Sequence, residues 1–97
     1  MTIEYLRYSI PEGMEEKFEA DVKDALKILR QSQFCKGCEL SRCEEKPNLY
    51  ILRIHWTSIK DHVEGFRASA QFREFLPLVR AYFKHLEEMR HYTSLEI

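Results

Sequence analysis

The sequence predicts an α+β domain in which one antiparallel sheet carries helices on a single face, the ferredoxin-like arrangement. Three observations carry this. Tyr50, Leu52, Ile54 and Trp56 recur at every second residue, so the pleat sets four large apolar side chains on one face of a strand. Met14, Phe18, Val22, Ala25, Leu26 and Leu29 instead keep to one stripe at helical spacing. Along the chain the segments follow as strand, helix, strand, strand, helical segment, strand. One sheet with helices packed on one side is the economical way to bury their apolar faces. Ninety-seven residues with 44% hydrophobic content suit a single domain over 1–97, without repeats, linkers or low-complexity segments.

The first strand is expected over residues 2–10, with Leu6, Tyr8 and Ile10 in phase. Pro11 and Gly13 end it, and Ser9-x-x-Glu12 resembles a helix-start signal. The helix that follows places Glu15, Glu16 and Glu19 early and Lys23, Lys27 and Arg30 late, the order the helix macrodipole favours, and this charged side is most simply a solvated face. Gln31 to Phe34 turns the chain, Cys38 to Cys43 reads as a short strand, and Pro47-Asn48 connects it to the strand ending at Trp56. At Thr57-Ser58 the hydrophobic period changes from two to helical, which puts Ile59, Val63 and Phe66 on one side of a helix from about Ser58 to Arg67. Ser58 and Asp61 form a capping-box-like pair at its start. A second helical run opens at Ser69 with Phe72, Phe75, Leu76 and Val79 together, and Pro77 predicts a kink or a fresh helical start. The last strand is expected from about Glu88 to Glu96, with Met89, His91, Thr93 and Leu95 on one face and Arg90, Tyr92 and Ser94 on the other.

Fifteen basic and sixteen acidic residues leave a formal net charge of −1, which offers no general attraction to phosphate backbones or anionic lipid. Nucleic acid and membrane are therefore not expected as partners, and no stretch approaches the roughly 20 apolar residues of a membrane span. Glu4 and Arg7 interrupt the apolar N-terminal run, which has no basic-then-hydrophobic leader, so a cytoplasmic location is expected. A chain this short leaves much of its surface exposed when folded alone, and a homodimer formed through an apolar sheet face would add to stability.

Cys35-x-x-Cys38, with Cys43 five residues on, invites a metal or redox reading. Structural zinc asks for four ligands, which three cysteines without a nearby histidine do not supply, and a redox pair asks for a helix N-terminus rather than the entry to a strand. The cysteines read as small, semi-buried side chains kept reduced. His55, His62, His85 and His91 lack the close spacing of a metal site, so none is expected. His62 stands out because it follows Trp56 by six residues and imidazole exchanges a proton near neutral pH. It is also readable as an exposed helical histidine. Trp56 is open in the same way, as a core anchor or as the wall of a ligand cavity that Tyr8, His62 and Phe66 would share.

Four motifs carry a resemblance. They are W-x-S at Trp56 and Ser58, then F-R-x-S-x-x-F-x-x-F at Phe66, Arg67, Ser69, Phe72 and Phe75, the earlier I-P-E-G-x-x-x-x-F from Ile10 to Phe18, and the late E-E-M-R-H-Y from Glu87 to Tyr92. In this order and spacing the chain resembles the antibiotic biosynthesis monooxygenase domain family over nearly its whole length. The resemblance implies a dimeric α+β barrel, in which two sheets pack face to face as a homodimer, and an oxygenase that uses no cofactor, neither metal nor flavin. In the quinone-forming members an aromatic ketone is deprotonated and reacts with oxygen beside a tryptophan, with an asparagine four residues before it and a tyrosine six after. The matching positions here are Trp56, Leu52 and His62. Leucine departs from that pattern because it neither donates nor accepts a hydrogen bond, whereas histidine keeps a proton-transfer group. In the haem-degrading branch the positions that matter correspond to about Leu6, Phe66 and Leu76, and none of these binds iron, so haem degradation is not implied.

The candidate catalytic residues are therefore Trp56 and His62, and the candidate substrate-binding residues are Tyr8, Phe66 and Leu52. Two functional readings result. The first is a cofactor-independent monooxygenase acting on a small aromatic or polyketide-like substrate. The second is a non-catalytic dimeric module that binds a small hydrophobic ligand or a partner protein, which Leu52 in place of a polar group favours. A sealed core around Trp56 would mark the module, and an open cavity presenting His62, Tyr8 or an arginine would mark the enzyme.

Overall fold

Period-two alternation builds the sheet in the computed structural model, which describes residues 1–97. Strands β1 (Thr2–Ser9), β2 (Cys35–Arg42), β3 (Leu49–Trp56) and β4 (Leu86–Thr93) lie in the order β2-β3-β1-β4, every neighbouring pair antiparallel. Helix α1 (Glu15–Leu29) connects β1 to β2. Between β3 and β4 the chain forms a π-helical turn at Asp61–Gly65, a 3₁₀ turn at Phe66–Ala68, helix α2 (Ala70–Val79) and a second 3₁₀ segment at Arg80–His85. The architecture is the single antiparallel α+β sheet of the ferredoxin-like arrangement. No helix is long and apolar enough to cross a membrane.

The inward rows of the sheet follow from register. Leu6 pairs with Leu52 on one side and Met89 on the other, and Glu4 pairs with Ile54 and His91, so these side chains share the helix-covered face. Phe18 of α1 drops into the middle of this face, fully buried, with the rings of Tyr8, Tyr50 and Tyr82 at 5.0, 4.8 and 4.9 Å. Two of these tyrosines keep their hydroxyls on polar ground: Tyr50 donates to Glu19 and Tyr82 to Asp21. The other sheet face carries no helix. There Tyr5 and Tyr92 meet edge to face at 5.8 Å, and Arg53 Nε donates to Glu39 at 2.9 Å.

Several local expectations are corrected. β2 begins at Cys35 rather than Cys38, because a bulge between Cys35 and Gly37 adds a residue and lets both cysteines face the helices. β4 starts at Leu86 and ends at Thr93, two to three residues ahead of the expected range, where its pairing with β1 ends. Ser9 does not cap α1. The chain turns at Gly13 with φ of 93°, a conformation suited to glycine, and Gly13 N–H donates to Glu15 Oε1 at 2.7 Å. Pro77 does not restart α2; the helix runs through it and tightens to 3₁₀ only at Arg80. Proline at this point removes one helical hydrogen bond within the last turn, where few remain to be lost.

Phe18→Ala removes the ring on which three tyrosines pack and should lower the unfolding free energy by about 3 to 5 kcal/mol in urea denaturation. A loss well under 1 kcal/mol would show that Phe18 is not central to the core.

Candidate active site

Alternation in β3 aims Leu52, Ile54 and Trp56 inward, all essentially without solvent exposure. After Trp56 the chain is pinned twice: Thr57 N–H donates to Phe34 O at 3.1 Å, and Asp61 N–H to Ser58 Oγ at 2.9 Å. The second bond is the expected cap at Ser58, while the carboxylate of Asp61 accepts from Thr57 Oγ1 instead of closing a box on Ser58.

The helix that follows does not bury the face that 3.6-residue spacing predicts. Ile59 is 51% and Val63 39% exposed, whereas His62 and Phe66 are buried at 5% and 1%. The reason is the π-helical turn, whose wider i→i+5 spacing rotates the inward face away from Ile59 and Val63. Gly65 closes this turn beneath the ring of Phe34, which a Cβ would meet at 2.7 Å. His62 thus leaves the exposed position that one sequence reading gave it and lies flat on Trp56, ring centroids 4.4 Å apart and planes 9° from parallel.

Two groups that sequence reasoning passed over complete the arrangement. Glu4, 3% exposed, accepts from Trp56 Nε1 at 3.1 Å through Oε1, and the same oxygen lies 3.4 Å from His62 Nε2. His62 Nδ1 in turn lies 2.8 Å from His91 Nε2. Burial pushes the Glu4 carboxyl up to about 6, moderated by the indole donor and the Arg67 charge. Burial, with the positive charges of Arg67 and His91, holds His62 down to about 4. At neutral pH the His62–Glu4 contact is therefore one between a neutral ring and a carboxylate rather than an ion pair. The signal for Glu4 was available: it stands in phase with Leu6 and Tyr8, an acid on an otherwise apolar strand face. His91 carried no such signal, being 29 residues from His62.

A cavity of about 230 Å³ opens beside this cluster, between the sheet, the 3₁₀ turn and α2. Twelve of its fifteen lining residues are hydrophobic and the other three are Glu4, His62 and Arg67, so it suits an apolar molecule with one polar end. Trp56, His62, Tyr8, Phe66 and Leu52 all line it. Leu6 and Leu76 do so as well, and offer iron no ligand. Glu4, His62 and His91 present donor atoms within 4.8 Å of one another. As the side chains stand, His62 faces Glu4 and His91 through different nitrogens. Cys35, Cys38 and Cys43 are free thiols away from the cavity. A hydrogen bond with Cys38 brings Cys35 down to about 7.

Comparison with known proteins gives a consistent picture. The family model described as antibiotic biosynthesis monooxygenase matches residues 1–78. The uncharacterized protein YczJ of Bacillus subtilis is 29% identical over 86 residues, which cover 89% of this chain and 90% of that protein. A Bordetella bronchiseptica protein assigned to antibiotic biosynthesis monooxygenases, known from its crystal structure, is 29% identical with a TM-score of 0.82, covering 98% of this chain and 97% of that one. SnoaB, a cofactor-independent oxygenase from Streptomyces nogalater, superposes with a TM-score of 0.79 over 99% of this chain and 94% of its own, at 18% identity, a likeness of fold.

The raised Glu4 carboxyl has a signed consequence for stability. The folded state holds this proton to higher pH than the unfolded chain, so the group favours folding below its ordinary value of 4.5 and loses that contribution as pH rises through about 6. Glu4→Gln lacks the titration. Its stability relative to wild type should therefore improve by about 2 kcal/mol between pH 4 and pH 8 in chemical denaturation. A constant difference across that range would show that Glu4 titrates as it does in water.

Proposed function

Since the chain belongs to the antibiotic biosynthesis monooxygenase family, we propose that its cavity is the active site of a cofactor-independent oxygenase acting on a small aromatic ketone or a similar carbon acid. The observation that carries this reading is an apolar cavity whose polar groups, Glu4, His62 and Arg67, are all titratable or charged and lie together with Trp56. A hydrophobic storage site has no use for a buried carboxylate that burial disfavours. The volume of about 230 Å³ is below the roughly 300–1,000 Å³ of drug-sized pockets, which argues for one or two rings rather than an extended polyketide.

In this reading the ligand's rings lie against Trp56, Tyr8, Phe66 and Leu52, and its activated CH₂ points toward the polar end. Loss of a proton there leaves an electron-rich enolate whose negative oxygen the Arg67 guanidinium stabilises. Oxygen then takes the electrons: CH₂ becomes C=O, one oxygen atom enters the product and the other leaves as water, so no external reductant is needed. Trp56 and His62 are the site residues this chemistry depends on, the indole as a rigid wall and the imidazole as a hydrogen-bonding group stacked on it. Leu52, where quinone-forming members carry an amide, supports the second reading, a module that holds a hydrophobic ligand without turning it over. The proposal includes a homodimer, in which the helix-free sheet face bearing Tyr5, Ile51 and Tyr92 meets its counterpart on a second copy.

Oxygen uptake with a panel of activated aromatic ketones of one to three rings tests the reaction. Wild type should consume oxygen and yield the corresponding diketone or quinone, and His62→Ala should slow turnover by roughly 10²-fold. If no ketone is oxidised but two-ring compounds quench the Trp56 fluorescence, the binding module is the better description. Light scattering at micromolar concentration should give twice the chain mass, and Tyr5→Glu together with Tyr92→Glu should give the single chain mass; a wild-type monomer would end the dimer proposal.

A further inference from the structure

The proton acceptor in the reaction proposed above need not be the histidine that sequence spacing singles out. The indole N–H of Trp56 donates to Glu4 Oε1 at 3.1 Å, and His62 Nε2 lies 3.4 Å from the same oxygen. No donor reaches Oε2, and the residue lines the cavity. One carboxylate oxygen is thus anchored while the other is free on a cavity-lining group, an arrangement suited to taking a proton from a bound molecule. His62 is differently placed. Its ring is stacked face-on against Trp56, its Nδ1 is engaged with His91 and its Nε2 lies against Glu4, so protein groups hem it in on one face and at both nitrogens.

We infer that Glu4 is the catalytic base of this site, with Oε2 as the accepting atom, and that His62 and His91 are positioning residues. His91 Nε2–H donates to His62 Nδ1, which fixes the His62 proton on Nε2 and holds the ring flat on Trp56, whose indole N–H anchors Glu4 Oε1. In the chemical step the substrate C–H bond breaks, an O–H bond forms at Oε2, and the electron pair remains on the substrate as its enolate. The proton on Glu4 then serves the departure of water after oxygen has added, which returns the carboxylate to its starting state. The charged and titratable groups facing Glu4 are Tyr8 from β1, His62 and Arg67 from the helical segment and His91 from β4. Among these Arg67 favours the ionised base and the desolvated surroundings raise it into a useful range.

This inference rests on the enzymatic reading, and proton removal is separable from oxidation. The test is anaerobic exchange of the acidic C–H of 2-tetralone with deuterated water, followed by NMR, alongside oxygen uptake with the same ketone. Wild type should accelerate exchange with a rate that falls as pH drops through about 6, as expected of Glu4, rather than through about 4, as expected of His62. Glu4→Gln should slow exchange by roughly 10²-fold or more and abolish that pH limb, with ligand affinity by Trp56 quenching little changed. Glu4→Asp should keep the limb at a reduced rate, which guards against a merely misfolded variant. His91→Gln should lower the rate by less while leaving the limb in place. Exchange without oxidation would sink the oxygenase reading and leave Glu4 as the base. Oxidation with undiminished exchange in Glu4→Gln would do the reverse. Absence of both reactions in wild type would remove both, and stoichiometric zinc or iron held by Glu4, His62 and His91 would replace the base with a metal centre.

Discussion

A carboxylate on the inward face of an apolar sheet is the constraint around which the site is arranged. An ionised carboxyl taken out of water without partners costs several kcal/mol, so Glu4 is tolerable at 3% exposure only where polar neighbours meet it. Trp56 supplies one, and its indole edge must then point along the sheet toward β1 rather than into the helices. His62 supplies the other, which requires the chain after β3 to bring residue 62 inward. An α-helical continuation would have turned Ile59 and Val63 in beside Phe66; with the π-helical turn it is His62 that joins Phe66 inside. The irregular turn, the flat stacking on Trp56 and the placing of His62 against Glu4 are three aspects of one solution.

The cavity has a packing origin. Helix α2 rests chiefly on α1 rather than on the strands beneath it, and the space it leaves above β1 and β3 is bounded by Phe72, Phe75 and Leu76 on one side and by Leu6 and Leu52 on the other. Phe66 joins the two walls, its ring 4.9 Å from Trp56 and 5.6 and 5.5 Å from Phe72 and Phe75. The aromatic cluster is thus shared between the core and the cavity. This resolves the two sequence readings of Trp56: it is fully buried by its neighbours and it also lines the cavity.

Much of this was legible in the sequence because the sheet and α1 are strictly periodic. Alternation of period two located β1 and β3, and the apolar stripe from Phe18 to Leu29 located α1. Trp56 and the four residues named with it do share one cavity: strand alternation sets the directions of Tyr8, Leu52 and Trp56, while His62 reaches it only through the irregular turn. What was not legible depends on departures from ideal period or on contacts far apart in sequence. The bulge in β2 shifted its start, the π-helical turn exchanged one helix face for another, and the meeting of His62 with His91 exists only once β4 lies beside β1. Glu4 was visible as an acid in phase with apolar neighbours, but the partners that make it tolerable lie more than fifty residues away in β3 and the turn that follows.

The position of β1 sets how the chain tolerates change. It is paired on both edges, to β3 and to β4, and its side chains alternate between the cavity and the helix-free face. Point substitutions at Ile3, Tyr5 or Arg7 leave the cavity untouched. Loss or gain of a single residue between Glu4 and Leu6 has a different effect, because it turns over the part of the strand that precedes it. The carboxyl of residue 4 would move to the opposite side of the sheet, Trp56 would lose its acceptor and His62 its charged neighbour, and an apolar or aromatic neighbour would take its place. Such a chain retains its composition and its hydrophobic pattern while losing the one acid its site is built on. In this stretch, length is under tighter restraint than residue identity.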